Sequence, residues 1–411
     1  MEHKIFDLIK KEAKRQEENI SLIASENYAD KEILEATGSI LTNKYAEGYP
    51  GRRYYGGCEV VDEIELEAIN NCKKLFEAEH ANVQPHSGSS ANFAVYVSQL
   101  KPGDIVLGMA LSSGGHLTHG HRVNFSGKLY NFVQYGVNPE NELMDYDEIE
   151  SLVNQHKPKM IVAGTSAYPR IVDYERLRKI ADDNGAVLFI DMAHVAGLIA
   201  AKLHPSPIPI ADIVSSTTHK TLRGPRSGFI CCKSDFAQKI DRAVMPGCQG
   251  GPLMHVIAAK AIAFDRASKS DFVEYQKKVL ENAKIMSEEF KSLGYRIVSG
   301  GTDTHLFLVD VKYDSDLTGG EVTGAVVEEA LNKCNIILNR NSIPFDKESP
   351  FITSGIRIGT SAVTTRGFGE EEVKQVANWI NEAIKKREDD KFLQHLKQEV
   401  IKLCSRFPVY S

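Results

Sequence analysis

Lys220 closes the run Ser215-Ser216-Thr217-Thr218-His219-Lys220. The stretch Ala211 to Val214 predicts a buried strand, so the polar residues behind it stand at a strand exit, and the basic loop Leu222-Arg223-Gly224-Pro225-Arg226 follows. By itself a lysine in such a loop is a solvated group. Close to His219, Arg223 and Arg226, its ammonium has cationic neighbours, the condition under which a lysine amine becomes a nucleophile that forms Schiff bases with carbonyl compounds. Upstream, the apolar run Ala186-Val187-Leu188-Phe189-Ile190 ends in Asp191, followed by Met192-Ala193-His194-Val195-Ala196-Gly197. Ligands of parallel α/β sheets bind outside the carboxyl ends of the strands, which is where Asp191 and Lys220 both fall. Taken alone, Asp191 is as well explained as a strand-end cap.

A Schiff-base lysine and a carboxylate partner for a pyridinium nitrogen are the two protein groups that pyridoxal 5'-phosphate (PLP) requires. The carboxylate keeps the ring nitrogen protonated and so makes the ring an electron sink. The phosphate of that cofactor also needs a cradle. The segment Gln84-Pro85-His86-Ser87-Gly88-Ser89-Ser90-Ala91-Asn92-Phe93-Ala94-Val95-Tyr96 offers one, because Ser87, Gly88 and Ser89 precede an apolar helical run. Amides at a helix start carry a partial positive charge and suit a dianion. Ser87 or Ser89 can cap that helix in the same arrangement.

Together these segments resemble serine hydroxymethyltransferase, a fold-type I PLP enzyme. Further matches run along the chain: Leu22-Ile23-Ala24-Ser25-Glu26-Asn27, Lys44-Tyr45-Ala46-Glu47-Gly48-Tyr49-Pro50-Gly51-Arg52-Arg53-Tyr54-Tyr55-Gly56-Gly57, Gly114-Gly115-His116-Leu117-Thr118-His119-Gly120, Gln249-Gly250-Gly251-Pro252 and Ser354-Gly355-Ile356-Arg357-Ile358-Gly359-Thr360. Only the far C-terminal helix and a few loops fall outside the resemblance.

The resemblance implies an α/β fold, with a mostly parallel sheet in a large domain and a smaller α/β C-terminal domain. It implies the reversible transfer of serine's hydroxymethyl group to tetrahydrofolate through external aldimine and quinonoid chemistry, giving glycine and 5,10-methylenetetrahydrofolate. Lys220, Glu47, His219 and Asp191 are then the catalytic set, with Glu47 as proton shuttle. His116 stacks on the cofactor ring, Ser166 and His194 hold its oxygen side, and Thr217 assists in placing it. Tyr45 joins the cofactor-binding residues. Tyr55, Gly250 and Gly251 belong to elements that reach the PLP phosphate of a neighbouring subunit, which makes the site a property of a homodimer. Arg357 grips the substrate carboxylate, Ser25 assists, and Tyr55 is also counted among the substrate-binding residues. Leu111, Gly115, His116, Leu117, Asn341, Ser349, Pro350 and Phe351 match folate-binding positions. The family usually has a histidine where Ser113 stands and often a polar residue where Phe345 stands, departures that bear on the adjacent loop and on the folate contact near Phe345. The competing readings are a folate-independent PLP aldolase acting on β-hydroxy amino acids such as threonine, a non-catalytic binding protein on the same scaffold, and a secondary role on RNA.

The 411 residues carry a formal net charge of -6, against the excess of Lys and Arg that a nucleic-acid footprint needs. Seven cysteines without a CxxC pair read as reduced thiols, which favours the cytoplasm. Cys248, beside the Gln249-Gly250-Gly251 turn, reads as a buried, inert thiol. The longest apolar stretch, Gly185 to Ala201, is broken by Asp191 and His194, so no membrane span is expected. His116, His119 and His121 lie close together, but zinc would need a further ligand that the spacing does not supply, and no metal is expected. His119 and His121 read as structural or solvated groups. Neither GxxxxGK[ST] nor GxGxxG occurs.

These residues need a scaffold. Met1 to Asn19 is charged and helical in period, without the apolar core of a secretory signal, and the Tyr- and Gly-rich stretch Ile20 to Gly57 reads as an arm. Val61, Ile64, Ala68, Cys72 and Phe76 mark a helix. Strands are expected at Asp104 to Met109, Met160 to Ala163, Ala186 to Ile190, Ile213 to Val214 and Phe229 to Cys232, alternating with helices such as Asp173 to Asn184. A long helix follows, with Asp271 and Glu274 spaced as a capping box and Gly294 as its stop. Beyond it, Tyr295 to Val298, His305 to Val311 and Asn335 to Asn339 read as strands, and Val322 to Lys333 and Glu371 to Lys386 as helices. The expected domains are an N-terminal helix and arm (1–57), a PLP-binding domain (58–270), and a bridging helix with a small domain (271–411).

Overall fold

The computed structural model describes residues 3–410, which fall into two compact units. Met1, Glu2 and Ser411, the outermost positions of the first and last expected domains, lie outside the described residues. One unit comprises Ala29–Asn138 and Leu143–Gln276; the other comprises the stretch up to Tyr28, the short segment Pro139–Glu142 and the chain from Lys277 onward.

The first unit is built on a seven-stranded sheet. Its strands lie in the order His80–Asn82, Gly228–Cys232, Ile213–Thr217, Val187–Asp191, Met160–Ala163, Ile105–Met109 and Asn131–Tyr135. Only Gly228–Cys232 runs against its neighbours; the other pairings are parallel. Both faces are covered, which is why the central strands read as unbroken apolar runs. Along Val187–Asp191 the residues Leu188 and Ile190 enter a core with helices Glu59–Phe76, Tyr174–Asn184 and Met254–Ala267, while Phe189 packs on the other face with Ala91, Val95 and Tyr96 of helix Gly88–Gln99.

Local signals set several boundaries. Asp173 caps the Tyr174–Asn184 helix by accepting from the Arg176 amide at 3.0 Å, and Gly185 ends it with φ 65°. The long helix spans Ser270–Ser292, so Asp271 sits inside its first turn, not before it, and Gly294 turns the chain at φ 97°. The expected strand end at Val214 is corrected: the strand continues through Ser215, Ser216 and Thr217, all buried and paired with Gly228–Ile230. The short His80–Asn82 strand and the part-exposed edge strand Asn131–Tyr135 are additions that apolar runs did not announce.

The second unit carries a four-stranded antiparallel sheet, ordered Arg296–Ile297, Leu306–Asp310, Gly355–Gly359, Asn339–Asn341. The expected strand Asn335 to Asn339 divides into Ile336–Ile337, paired in parallel with Ile20–Ser21, and Asn339–Asn341. Ile20 and Leu22 thereby join a core shared with helices Gly324–Lys333, Glu370–Lys385 and Asp390–Ser405.

Candidate active site

Asp191 ends its strand with a carboxylate that is 10% exposed. Its Oδ1 accepts from the Ala193 amide at 3.0 Å, and its Oδ2 accepts from Asn92 Nδ2 at 2.8 Å. His119 Nε2 stands 3.3 Å from the same Oδ2. Burial pushes the pKa of this carboxyl up, but the His119 contact and the nearby charges of His119, His116 and Lys220 prevail and hold it well below the usual carboxylate range. Asn92 is itself fixed, since its Oδ1 accepts from Ser215 Oγ at 2.5 Å and its amide group also donates to Thr118 Oγ1 at 2.8 Å. Thr118 closes the network by bonding His116 Nδ1 at 2.7 Å. A buried, ionised Asp191 is therefore surrounded by donors from a helix, a strand and the 114–120 loop.

His116, His119 and Asp191 bring their ligand atoms within 4.8 Å of one another, so Asp191 is the third group that the histidine spacing alone did not reveal. The carboxylate oxygens already take N–H donors from Ala193 and Asn92, and this is the chemistry of a hydrogen-bonded anion receiving a further N–H. It fits the protonated ring nitrogen of PLP.

Lys220 lies three residues beyond the strand that carries Ser215 and Thr217, and it is buried at 9% exposure, not solvated as a loop lysine would be. The next residue, Thr221, bonds the His194 carbonyl through Oγ1 at 2.9 Å and so ties the Lys220 loop to the segment after Asp191. Ser166 donates its amide to Gly114 O at 2.7 Å, joining the loop after Met160–Ala163 to the 114–120 loop. Beside Lys220, burial lowers the His219 pKa to about 3, helped by the charges of Lys220 and Arg226. Its imidazole is neutral at physiological pH. His219 Nδ1 and Thr217 Oγ1 are buried without a hydrogen-bond partner, two polar atoms suited to a ligand at this strand end.

Helix Gly88–Gln99 begins against the same strand. Ser87 and Ser90 form a capping box in which Ser87 Oγ accepts the Ser90 amide and Ser90 Oγ accepts the Ser87 amide. That leaves the first-turn amides of Gly88 and Ser89 without intrahelical acceptors, and Ser89 is exposed. A Cβ on Gly88 would stand 2.6 Å from Thr217 Cγ2, so the helix start abuts Thr217. Carboxylate, the unsatisfied Thr217 hydroxyl and His219 Nδ1, buried lysine and anion cradle together fit PLP; cofactor phosphate suits the Gly88 and Ser89 amides.

A second group forms around Glu47. Tyr45 OH lies 3.3 Å from Glu47 Oε1, the Tyr45 and Tyr55 rings meet edge-on at 5.4 Å, and Cβ atoms on Gly250 and Gly251 would fall 2.9 Å from Glu47 Oε1 and 3.1 Å from the Tyr45 ring. Tyr55's pKa is raised, chiefly by the charge of Glu47. Arg53 sets the position of this group: its guanidinium donates to the carbonyls of Ala46 and Gly48, on either side of Glu47, and pairs with Asp62 and Glu65. Leu111, Gly115 and Leu117 occupy the turn after Ile105–Met109, with Leu111 and Leu117 exposed. Gly115 is required there, since a Cβ would meet Met109 O at 2.2 Å. Ser113 lies in the same turn.

In the second unit Arg357 occupies the middle of Gly355–Gly359 and donates through Nε to Asn339 Oδ1 at 3.0 Å. Burial lowers its pKa to about 10, which leaves it charged near neutrality. Ser25 follows Ala24, which packs so closely on Gly359 that a Cβ there would come within 2.4 Å of Ala24 Cα. Asn341 ends the neighbouring strand, Ser349 O accepts from the Ile352 and Thr353 amides, and Phe351 beside Pro350 is exposed. Phe345 is exposed with φ 58°.

Asn92 and His119 are the site residues that reading the sequence missed. The available signal was a lone Asn in the apolar run Ala91 to Val95 and a His inside the 114–120 motif.

The sheet and its strand-end constellation define a fold-type I PLP-dependent enzyme. The serine hydroxymethyltransferase family model matches residues 1–380 of the 411-residue chain, and the chain belongs to that family. Its members are PLP-dependent transferases of one-carbon metabolism that act with tetrahydrofolate.

The neutral His219 has a consequence for pH. Its folded pKa lies below the ordinary 6.5, so the stability it contributes is full above that value and is lost as pH falls toward about 3. Thermal midpoints recorded from neutral to acid pH should fall more steeply in the wild type than in His219→Gln. Parallel curves would contradict a buried neutral imidazole.

Proposed function

We propose that this protein transfers the hydroxymethyl group of serine to tetrahydrofolate, yielding glycine and 5,10-methylenetetrahydrofolate, as a glycine hydroxymethyltransferase (EC 2.1.2.1). The observation that carries the reading is the buried, ionised Asp191 in the same unit as a buried Lys220 and the Ser87–Ser89 cradle. PLP bound there supplies a protonated ring that withdraws electrons from the amino acid's α-carbon. Lys220 would supply the amine that anchors the cofactor. Asp191 holds the ring-nitrogen proton. His116 would stack on the ring and Thr217, Ser166 and His194 would hold its oxygen side, while neutral His219 can donate or accept a hydrogen bond beside Lys220.

Arg357 binds the substrate carboxylate, with Ser25 assisting, because a buried and permanently charged guanidinium favours bidentate pairing. Glu47 moves the proton of the serine hydroxyl as the carbon–carbon bond breaks, and Tyr45 and Tyr55 hold it in place. Leu111, Gly115, Leu117, Asn341 and Ser349-Pro350-Phe351 receive the folate. The active form is a homodimer whose partner copy adds Tyr55, Gly250 and Gly251, together with the Glu47 that they adjoin, to the site. Exposed Ile40, Tyr45, Tyr54, Tyr55 and Val60 favour a covered surface, as does the apolar side of helix Lys4–Glu18, where Ile5, Phe6 and Ile9 are exposed. All seven cysteines are free thiols, as suits the cytoplasm, and no described helix is long and apolar enough to cross a membrane.

The reading is tested by glycine formation from serine with and without tetrahydrofolate. Strict dependence on folate is expected; equal cleavage of β-hydroxy amino acids without it would move the assignment to an aldolase. Glu47→Gln should bind glycine as the wild type does while losing roughly 100-fold or more in serine turnover. Unchanged turnover would remove its proton role.

A further inference from the structure

Lys260 lies on helix Met254–Ala267 and is 1% exposed. Its Nζ donates to three main-chain oxygens: Val83 at 2.5 Å, Gly228 at 2.7 Å and Pro85 at 3.2 Å. An ammonium has three protons, so all of them are used on backbone carbonyls. Burial lowers its pKa to about 7, with Cys72 and Glu65 pulling the other way. Keeping such a group inside costs free energy that an apolar side chain would avoid, and its neighbours Ala259, Ala261 and Ala263 show that this helix is otherwise apolar there.

The three oxygens share a location. Val83 and Pro85 belong to the segment that leads from strand His80–Asn82 to Ser87, and Gly228 begins the antiparallel strand. Pro85 O also receives the Gly228 amide and Ser227 Oγ, while Gln249 bridges Gln84 O and the His86 amide. Gly228 touches the cradle itself, since a Cβ there would meet Ser87 O at 2.4 Å. Lys260 thus fastens both walls of the approach to Gly88 and Ser89.

We propose that Lys260 is a positioning residue for the phosphate cradle, holding Val83–Pro85 against Gly228 so that the Gly88 and Ser89 amides keep their aim at the cofactor phosphate. This rests on the PLP reading. Residue and phosphate do not touch; the effect passes through the carbonyls that Lys260 holds. Removing it leaves buried carbonyls to find other donors, and the loop must shift to provide them.

Affinities of the resolved, full-length apoprotein for PLP and for pyridoxal, which lacks the phosphate, separate this role from general packing. In Lys260→Met the affinity for PLP should fall roughly 10- to 100-fold while that for pyridoxal stays within about threefold. Equal losses for both ligands, or an unchanged affinity for PLP, would overturn the proposal. If the Met variant does not accumulate as folded protein, Lys260→Gln, which keeps an N–H donor, should show a smaller loss again confined to PLP, and equal losses would overturn it too. A wild-type protein that bound neither ligand would instead refute the PLP reading, and this proposal with it.

Discussion

The carboxylate of Asp191 stands at the end of a strand buried on both faces, and the site is arranged around keeping it ionised there. A charge in such surroundings needs N–H donors, because desolvation otherwise neutralises it. The donors come from separate parts of the chain: the Ala193 amide, Asn92 and His119. Each choice constrains the next. Asn92 must face the sheet, which sets the rotation of helix Gly88–Gln99 and so the direction of its first amides. Ser215 must be polar and extended to hold Asn92 Oδ1, which carries the Ile213–Thr217 strand past its apolar part and delivers Lys220 just beyond it.

The same solution, a buried amine or guanidinium whose N–H groups are satisfied by main-chain oxygens, recurs where irregular backbone must be held still. Arg53 clamps the carbonyls flanking Glu47, and Lys260 clamps those flanking the cradle. In the second unit Arg366 donates to the carbonyls of Glu17, Asn19, Cys404 and Phe407, joining the N-terminal segment to the end of helix Asp390–Ser405. Glycine, hydroxyl and carbonyl-rich loops form poor cores, so buried donors supply the rigidity that apolar packing gives the sheet.

Much of this order was legible in the sequence. Met160–Ala163 coincides with its apolar run, and Val187–Asp191 differs by one residue at each end from the expected Ala186 to Ile190, because strands covered on both faces leave an unbroken apolar trace. Ser215 to Thr217 stand at the exit of a strand expected to end at Val214; antiparallel pairing with Gly228–Ile230 carries the strand through them despite the turn preference of hydroxyl residues. The edge strand Asn131–Tyr135 leaves only a partial pattern, with Asn131 and Gln134 exposed. Within the site, Lys220, Asp191 and the Ser87–Ser89 segment could be reasoned from residue chemistry, whereas Glu47 and Arg357 came only through resemblance. Asn92, His119 and Lys260 escaped, since a single polar residue in a helix or loop gives no hint that its partners are carboxylates or carbonyls distant in sequence.

In the proposed site Asp191 keeps a proton on the ring nitrogen of bound PLP. Nitrogen-15 NMR of the protein loaded with ring-labelled PLP measures this directly. A protonated ring nitrogen is expected in the wild type at neutral and mildly alkaline pH and an unprotonated one in Asp191→Asn; an unprotonated ring nitrogen in the wild type, or the same signal in both proteins, would contradict that role of Asp191.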